Sequence, residues 1–201
     1  MRSLKAARTG YAITVYVLLG IGSLAFLFPL VWMLSTALKP DTQLFAYPPE
    51  WIPRPPMWGN FKAAIEYFPF WLYFRNSTIV TVLAVFGQVF SASIVAYGFA
   101  KLRWPGREVV FFLVLATLMI PSQVTMIPQF VIFTRIGWVD TLLPLIVPSF
   151  FGGGAFNVFL FRQYYRTIPR EYNDAAKIDG ASDWRIFWQI ILPQSKPVIA
   201  T

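Results

Sequence analysis

The stretch from residue 162 to residue 201 reads RQYYRTIPREYNDAAKIDGASDWRIFWQIILPQSKPVIAT, and it carries much of the charge of an otherwise apolar chain. Pro169 suits the first turn of a helix, where no N–H donor is required. Gly180 can end that helix, because glycine tolerates the left-handed conformation. Ser182 or Asp183 can then cap a second short helix. The stretch therefore predicts a helix–turn–helix hairpin.

Small, acidic and aromatic side chains are spaced along this hairpin in a way that suits docking. Small side chains allow the backbone of a partner to come close, charges can orient the contact, and aromatic rings can fill a hydrophobic cleft. The residues that we expect to make this contact are Asp174, Ala175, Ala176, Asp179, Gly180, Trp184 and Phe187. A second interpretation is a solvated hairpin whose aromatic rings lie at the bilayer interface, where tryptophan is common.

The spacing of the hairpin resembles the cytoplasmic EAA loop in the membrane subunits of binding-protein-dependent ABC importers. The matching positions are Asp174-Ala175-Ala176, Asp179-Gly180-Ala181, Ile190 and Leu192-Pro193. The chain is similar to the maltose-type carbohydrate permeases in particular, through Arg75-Asn76-Ser77, Trp104-Pro105-Gly106-Arg107 and Met119-Ile120-Pro121. The resemblance extends from about Tyr11 to the end of the sequence. One departure is Asp174, where the family usually has a glutamate, so the carboxylate is one methylene shorter.

The composition points to a membrane protein without catalytic groups of its own. Only 13% of the residues are charged, against roughly 25% in soluble domains. There is no cysteine or histidine, which excludes disulfides, Cys/His metal sites and histidine catalysis. None of the nine carboxylates forms a close pair within an apolar run. The chain also lacks the glycine-rich lysine loop that cradles phosphates. We therefore predict no catalytic residue, no metal site and no enzyme activity.

Four apolar runs are long enough to cross a bilayer, which needs about 20 residues. They predict an all-α polytopic bundle with four complete transmembrane helices, at 11–38, 77–100, 109–127 and 142–161. The segments between them are an N-terminus at 1–10, loops at 39–76, 101–108 and 128–141, the hairpin loop at 162–197 and the start of a fifth helix at 198–201. Three glycines at 152–154 predict a bend or a close helix crossing, because glycine weakens a helix.

Lysine and arginine counts predict the orientation in the membrane. With the N-terminus inside, the inner segments hold 12 basic residues in 54 positions, whereas the outer segments hold 5 in 52. This asymmetry places segments 1–10 and 101–108 and the hairpin in the cytoplasm, and the two other loops outside. It also accounts for the net charge of +8 without nucleic acid as a partner.

Neutral polar groups within the apolar runs are the candidates for a substrate path. The three most polar ones are Gln88, Gln123 and Asn157. Neutral hydrogen-bonding groups suit an uncharged sugar, because hydroxyls stripped of water need replacement donors and acceptors. Hydrogen bonds between helices of the bundle are the competing explanation for each of them.

The resemblance implies the rest of the functional prediction. It implies a permease subunit that moves a carbohydrate, such as a disaccharide, an oligosaccharide or a related glycoside, across a bacterial or archaeal cytoplasmic membrane by alternating access. The partners would be a second permease subunit, two cytoplasmic ABC ATPase subunits that bind ATP and Mg²⁺, an external solute-binding protein and membrane lipid. The hairpin would dock on an ATPase subunit. Two further helices are expected after the hairpin, so the sequence would be truncated before them.

Two other functions stay open on the sequence alone. One is an importer of the same build for another small solute, such as a phosphorylated polyol, although the apolar runs lack lysine and arginine. The other is a membrane scaffold or sensor whose hairpin docks a partner that is not an ATPase. An intramembrane enzyme is disfavoured by the missing histidine and cysteine.

Overall fold

The computed structural model describes the backbone of residues 2–201 and the side chains of residues 11–201. Across that range the secondary structure is helical and contains no β-strand, which confirms the predicted all-α class. The predicted cytoplasmic position of segment 1–10 depends on its basic side chains. These side chains lie outside the described residues. The chain divides into two compact units, Met1–Leu72 and Tyr73–Thr201.

The first unit consists of one long helix and a folded segment that follows it. Helix α1 spans Arg2–Ala37, and its part from Tyr11 to Ala37 is long and apolar enough to cross a membrane. Two shorter helices follow, α2 at Asp41–Leu44 and α3 at Gly59–Tyr67. None of the most apolar part of α1 is buried by the described residues.

The segment after α1 is tied to the end of that helix by a small polar cluster. The side-chain amide of Asn60 donates to the carbonyl oxygens of Ala37 and Lys39 at 3.0 and 2.9 Å. Terminal helix carbonyls lack intrahelical donors, and this amide supplies one. Lys39 is only 2% exposed, and its ammonium lies 4.1 Å from the ring centroid of Trp32. The ring face therefore stabilises a charge that burial would otherwise disfavour.

The second unit begins within helix α4, which spans Phe70–Ala100 and is the second candidate membrane span. The helix starts before the predicted residue 77, because no glycine or proline interrupts residues 70–76. Residues 70–76, predicted as the end of an external loop, are therefore helical.

The predicted third span, 109–127, is broken in the structure. Helix α5 spans Arg107–Ala116, a 3₁₀ turn covers Thr117–Met119, and helix α6 spans Ser122–Arg135. The two helical pieces are bent by 96°. Pro121 disfavours the helical conformation of the residue before it, and Ile120 is indeed extended. Residues 122–127 thus do not continue α5, and α6 runs on into the predicted external segment.

The predicted fourth span, 142–161, is also interrupted. Helix α7 spans Leu143–Ile146, a 3₁₀ turn covers Val147–Phe150, and helix α8 spans Ala155–Thr167. The helix is broken at the glycines, because residues 152–154 all have positive φ between 63° and 83°, and of the two predicted outcomes, a bend or a close helix crossing, the close crossing is confirmed. A Cβ atom at Gly153 would overlap the backbone oxygen of Gln88 and the side chain of Ala92 on α4. Glycine is therefore required for the close approach to α4.

Among the residues that the structure describes, three helical stretches are long and apolar enough to span a membrane, Tyr11–Ala37, Phe70–Ala100 and Leu143–Thr167. The number is four if the bent pair around Pro121 forms one span. The core of the second unit lies at the hairpin end of α4 and α8. Its buried side chains come from both helices, from α5 and from the hairpin, and include Ala92, Ala96, Tyr97, Phe99, Phe111, Phe161, Tyr165, Ile186, Phe187 and Ile191. The hairpin is thus packed onto the spans.

Candidate functional site

The first half of the hairpin is helix α9, Glu171–Ile178, and its end has the predicted form. Gly180 has a φ of +78°. The N–H of Ala181 donates to the carbonyl of Ala176 at 2.9 Å, and the N–H of Gly180 donates to that of Lys177 at 3.0 Å. These two bonds form a Schellman motif, which satisfies carbonyls that have no partner within the helix. Glycine at 180 is therefore a conformational requirement.

The second half of the hairpin is capped as predicted but is less regular than predicted. Helix α10, Asp183–Ile186, begins at Ser182, whose hydroxyl accepts from the N–H of Arg185 at 3.3 Å. A π-helical turn follows at Phe187–Ile191, and then the short helices α11, Leu192–Gln194, and α12, Lys196–Ile199. Pro193 lacks an N–H and its ring crowds the carbonyl four residues earlier. The widened turn immediately before it accommodates this loss.

The structure divides the predicted docking residues into an exposed and a buried group. The exposed residues are Asp174, Ala175, Asp179, Gly180 and Trp184. Ala176 and Phe187 are buried, and Phe187 packs 5.3 Å from the ring of Tyr97 on α4. In this structure Phe187 therefore fixes the hairpin to its own spans and is not available to fill a cleft in a partner. Two apolar side chains that sequence reasoning missed are exposed on α9, Tyr172 at 52% and Ile178 at 87%.

The loop at residues 101–106 and the start of α5 contact the beginning of the hairpin through two charged side chains. The ammonium of Lys101 donates to the carbonyl of Ile168 at 2.6 Å. Burial lowers the pKa of Lys101, the charge of Arg170 lowers it further, and Glu171 opposes the shift. The guanidinium of Arg162 donates to Glu108 at 2.6 Å and lies 3.9 Å from the centroid of the Phe111 ring. The first contact holds the start of the hairpin to the end of α4, and the second holds α8 to the first turn of α5.

Sequence reasoning used Lys101, Glu108 and Arg162 only to count charges. Each lies beside the end of an apolar run, which is the one sequence signal that could have singled them out. Arg162 is 4% exposed, and arginine is rarely buried so fully unless it is paired. The sequence gives no means to identify its partner, because the pairing depends on how the helices pack.

The structure brings together two of the three candidate path residues. Gln88 on α4 and Asn157 on α8 line one cavity of about 340 Å³, together with residues 198–201. The amide of Asn157 donates to the carbonyl of Gly153 at 2.8 Å, so it satisfies a carbonyl at the break before α8. Gln123 lies at the start of α6, and it is exposed and does not line that cavity.

Comparisons with known proteins point to one family. Residues 88–201 match the family described as binding-protein-dependent transport system inner membrane component. The chain is 35% identical over 199 residues to the sn-glycerol-3-phosphate transport system permease protein UgpE of Yersinia enterocolitica, covering 96% of this chain and 70% of that protein. It is 32% identical over 197 residues to the probable ABC transporter permease protein YurM of Bacillus subtilis, covering 94% of this chain and 62% of that protein.

A solved structure has the same fold. It is the crystal structure of a bacterial ABC transporter involved in the import of the acidic polysaccharide alginate, with a TM-score of 0.79 and 28% sequence identity. The match covers 94% of this chain and 66% of that chain. The chain thus spans about two thirds of the length of the proteins that it resembles.

Proposed function

The chain belongs to the family of binding-protein-dependent transport system inner membrane components, and on this premise we propose that it is the part of an ABC importer that carries a carbohydrate across the membrane. It is a transport component of the cytoplasmic membrane. We place its N-terminus and its hairpin in the cytoplasm of a bacterium or archaeon. Alternating access would expose the path to each side of the membrane in turn.

The observation that carries the proposal is the way in which the hairpin is fixed to the spans. Phe187 packs on Tyr97 of α4, Lys101 at the end of α4 bonds to Ile168, and Arg162 of α8 pairs with Glu108 of α5. The hairpin is held to α4 at two points and follows α8, which is itself paired with α5, so it moves with these helices. A displacement of the hairpin by a docked partner would therefore be transmitted to α4, α5 and α8.

The proposed function also predicts the remaining components of the importer. ATP and Mg²⁺ would be bound by two cytoplasmic ATPase subunits, because this chain lacks a phosphate-cradling loop. The exposed side of the hairpin, with Asp174, Asp179, Gly180 and Trp184, would dock in a cleft of one of them. A second permease subunit and lipid would cover the exposed apolar faces of the spans, and an external binding protein would deliver the substrate.

The neutral polar groups along the candidate path support a carbohydrate as the substrate. Gln88 and Asn157 line one cavity, and amides can replace the hydrogen bonds that sugar hydroxyls make with water. The second candidate substrate is a phosphorylated polyol, and the identity of 35% to a permease named for sn-glycerol-3-phosphate favours it. A phosphate group is bound in proteins mostly by arginine, lysine or backbone N–H groups, and a cavity lined by Gln88 and Asn157 supplies neutral amides instead.

The experiment that tests the function is a reconstitution of the importer. The full reading frame is expressed in its own host with the neighbouring transport genes, purified in mild detergent and placed in liposomes with the binding protein. We expect an ATPase to co-purify, and its activity to rise with a neutral glycoside and not with sn-glycerol 3-phosphate. Stimulation by sn-glycerol 3-phosphate alone would identify the phosphorylated polyol as the substrate.

A scaffold or sensor is the remaining alternative, and the same preparation distinguishes it. The variant is Gly180→Trp, whose indole would project from the hairpin surface, because no described atom other than those of the chain neighbours lies within 4 Å of a Cβ added at residue 180. Gly180→Ala is its control, since it carries the same strain at positive φ without the bulky ring and should retain the ATPase. We expect the ATPase to be present with the native chain and absent with Gly180→Trp. If a different cytoplasmic protein is retained in place of an ATPase, the hairpin serves a scaffold.

A further inference from the structure

Two adjoining cavities lie between the 101–106 loop and the start of the hairpin. Their volumes are about 680 and about 510 Å³. Both are lined by Arg103, Trp104 and Arg170, so these three side chains stand where the cavities meet. The cavities lie at the hairpin end of α4 and reach Val109 in the first turn of α5.

The charges around the cavities favour an anion. Two of the carboxylates there are already paired, since Glu108 bonds to Arg107 and Arg162, and Asp183 lies 3.0 Å from Lys177. Two exposed guanidinium groups, of Arg103 and Arg170, make no hydrogen bond or ion pair with the described side chains, those of residues 11–201, or with the backbone of residues 2–201. The ammonium of Lys101 also lines the larger cavity.

Two acidic side chains oppose an anion at this position. Asp174 lines the larger cavity without an ion pair among the described residues, and Glu171 is close enough to Lys101 to act on it electrostatically. Three cations, those of Lys101, Arg103 and Arg170, stand against these two carboxylates. The balance is positive, and the guanidinium fork matches phosphate oxygens in a bidentate manner.

A buried amide gives a second indication of a ligand. Asn173 lines the larger cavity and is 7% exposed, and its side-chain carbonyl oxygen has no hydrogen-bond partner in the described part of the chain. A buried polar group without a partner is unfavourable. This oxygen is an acceptor, so its partner must be a donor, such as a hydroxyl of a glycerol headgroup rather than the phosphate itself.

The surroundings of the cavities identify the source of the anion. Helix α5 starts at the rim and exposes the apolar side chains of Val109 and Phe112 by 65% and 68%. Trp104, 37% exposed, is the amphipathic ring type that is enriched at membrane interfaces. A phospholipid could therefore place its acyl chains along α5 and its phosphate beside the two arginines.

We propose that these cavities bind the phosphate group of an anionic phospholipid of the cytoplasmic leaflet, with Arg103 and Arg170 as its cationic ligands. Basic pockets at the cytoplasmic ends of membrane helices bind such headgroups in general. The inference rests on the proposed orientation of the permease. It adds a lipid site next to the hairpin that docks the ATPase.

The test measures binding of labelled phosphatidylglycerol to the purified transporter complex in nanodiscs of phosphatidylcholine. Arg103→Gln and Arg170→Gln are made singly and together, and Arg166→Gln is the matched control, since Arg166 is exposed on α8 and lines neither cavity. A basic side chain at a membrane surface contributes about fivefold to the affinity for anionic lipid. We expect each single variant to bind about fivefold more weakly and the double variant about 25-fold more weakly.

Equal affinities of the double variant and the native complex would overturn the proposal, and so would an equal loss in Arg166→Gln. Inorganic phosphate is added to the native complex in a separate arm. Displacement of the labelled lipid by millimolar phosphate would show a site for free phosphate and overturn the assignment to a lipid. Unchanged thermal unfolding of the variants shows that the fold is intact.

The same samples separate this inference from the proposed function. Sugar-stimulated ATP hydrolysis together with lipid binding that the two substitutions leave unchanged would overturn the lipid site and leave the importer in place. Conversely, a native chain that retains no ATPase refutes the proposed importer function. The lipid site is then tested separately, by comparing lipid binding between the native chain and the variants in the same way.

Discussion

Arg162 and Glu108 are 54 positions apart in the chain, yet Nη2 of the arginine lies 2.8 and 2.6 Å from the two carboxylate oxygens of the glutamate. Arg162 is 4% exposed, whereas the glutamate side chain is 62% exposed. The same guanidinium lies over the ring of Phe111. The pair therefore holds α8 to the first turn of α5, with the arginine buried and the glutamate partly exposed to solvent.

The first prediction concerns this pair. We expect Glu108→Gln to lower the unfolding temperature more than a substitution in an exposed ion pair does, because a nearly buried guanidinium loses its charged partner. The exposed pair Lys62–Glu66, at 3.8 Å, offers the matched control. Glu66→Gln should change the stability by less than about 0.5 kcal/mol. Thermal unfolding in detergent measures both variants. Equal shifts of the unfolding temperature would show that the burial of Arg162 does not strengthen its pairing with Glu108.

The second prediction concerns the pH dependence of stability. Burial and the charge of Arg170 lower the pKa of Lys101 in the folded protein, so the unfolded chain holds this proton more tightly. The stability contribution of Lys101 should therefore rise with pH between its lowered folded pKa and the ordinary lysine value of about 10.4. Chemical unfolding at several pH values checks this against Lys101→Met, which removes the titration. Parallel pH curves for the two proteins would refute it.

The third prediction separates backbone strain from steric overlap at the break before α8. Gly152 and Gly153 have φ of +82° and +63°, but only a Cβ at Gly153 would overlap α4. We expect Gly152→Ala to cost about 1–2 kcal/mol from the left-handed backbone. Gly153→Ala should cost a further 1–3 kcal/mol or so from overpacking. Thermal unfolding of both variants is the measurement, and equal losses would mean that α4 yields to the extra methyl group.

The fourth prediction compares a path residue with one outside the cavity. We expect Gln88→Ala to raise the sugar concentration for half-maximal ATPase stimulation about fivefold, the equivalent of one hydrogen bond of about 1 kcal/mol. Gln123→Ala should leave it unchanged, since Gln123 does not line the cavity with Gln88 and Asn157. A larger effect for Gln123→Ala would place the path along α6.

The fifth prediction concerns the exposed apolar residues of α9. Ile178 is 87% exposed, and we expect Ile178→Asp to abolish co-purification of the ATPase without lowering the unfolding temperature of the permease. Ile52, 65% exposed in the first unit, provides the control, and Ile52→Asp should retain the ATPase. Retention by Ile178→Asp would show that the ATPase docks without this part of α9.

The sequence predicted features that depend on local chemistry. The end of α9 at Gly180 and the start of α10 at Ser182 follow from conformational and hydrogen-bonding preferences of single residues. The apolar runs predicted the helical class, because each is longer than a soluble helix usually is. The close approach to α4 at residues 152–154 followed from three consecutive glycines.

Features that depend on packing were not predictable in the same way. Pro121 accompanies a 96° bend, whereas Pro128 lies within α6, and the sequence around the two prolines does not distinguish these outcomes. Phe187 is buried and Trp184 is exposed because of how the hairpin rests on α4. The pairing of Arg162 with Glu108 joins segments that become neighbours only after the spans assemble.

The close approach of Gly153 to α4 also restricts which amino-acid substitutions evolution can accept at this contact. Ala92 lies on the opposite side of the same contact, so a larger residue at either position can be accepted only if the two backbones separate. Gly152 has no neighbour within 4 Å of an added Cβ, and asparagine tolerates its left-handed conformation. In a randomised library selected for transport, position 153 should return glycine alone, whereas position 152 should also return asparagine.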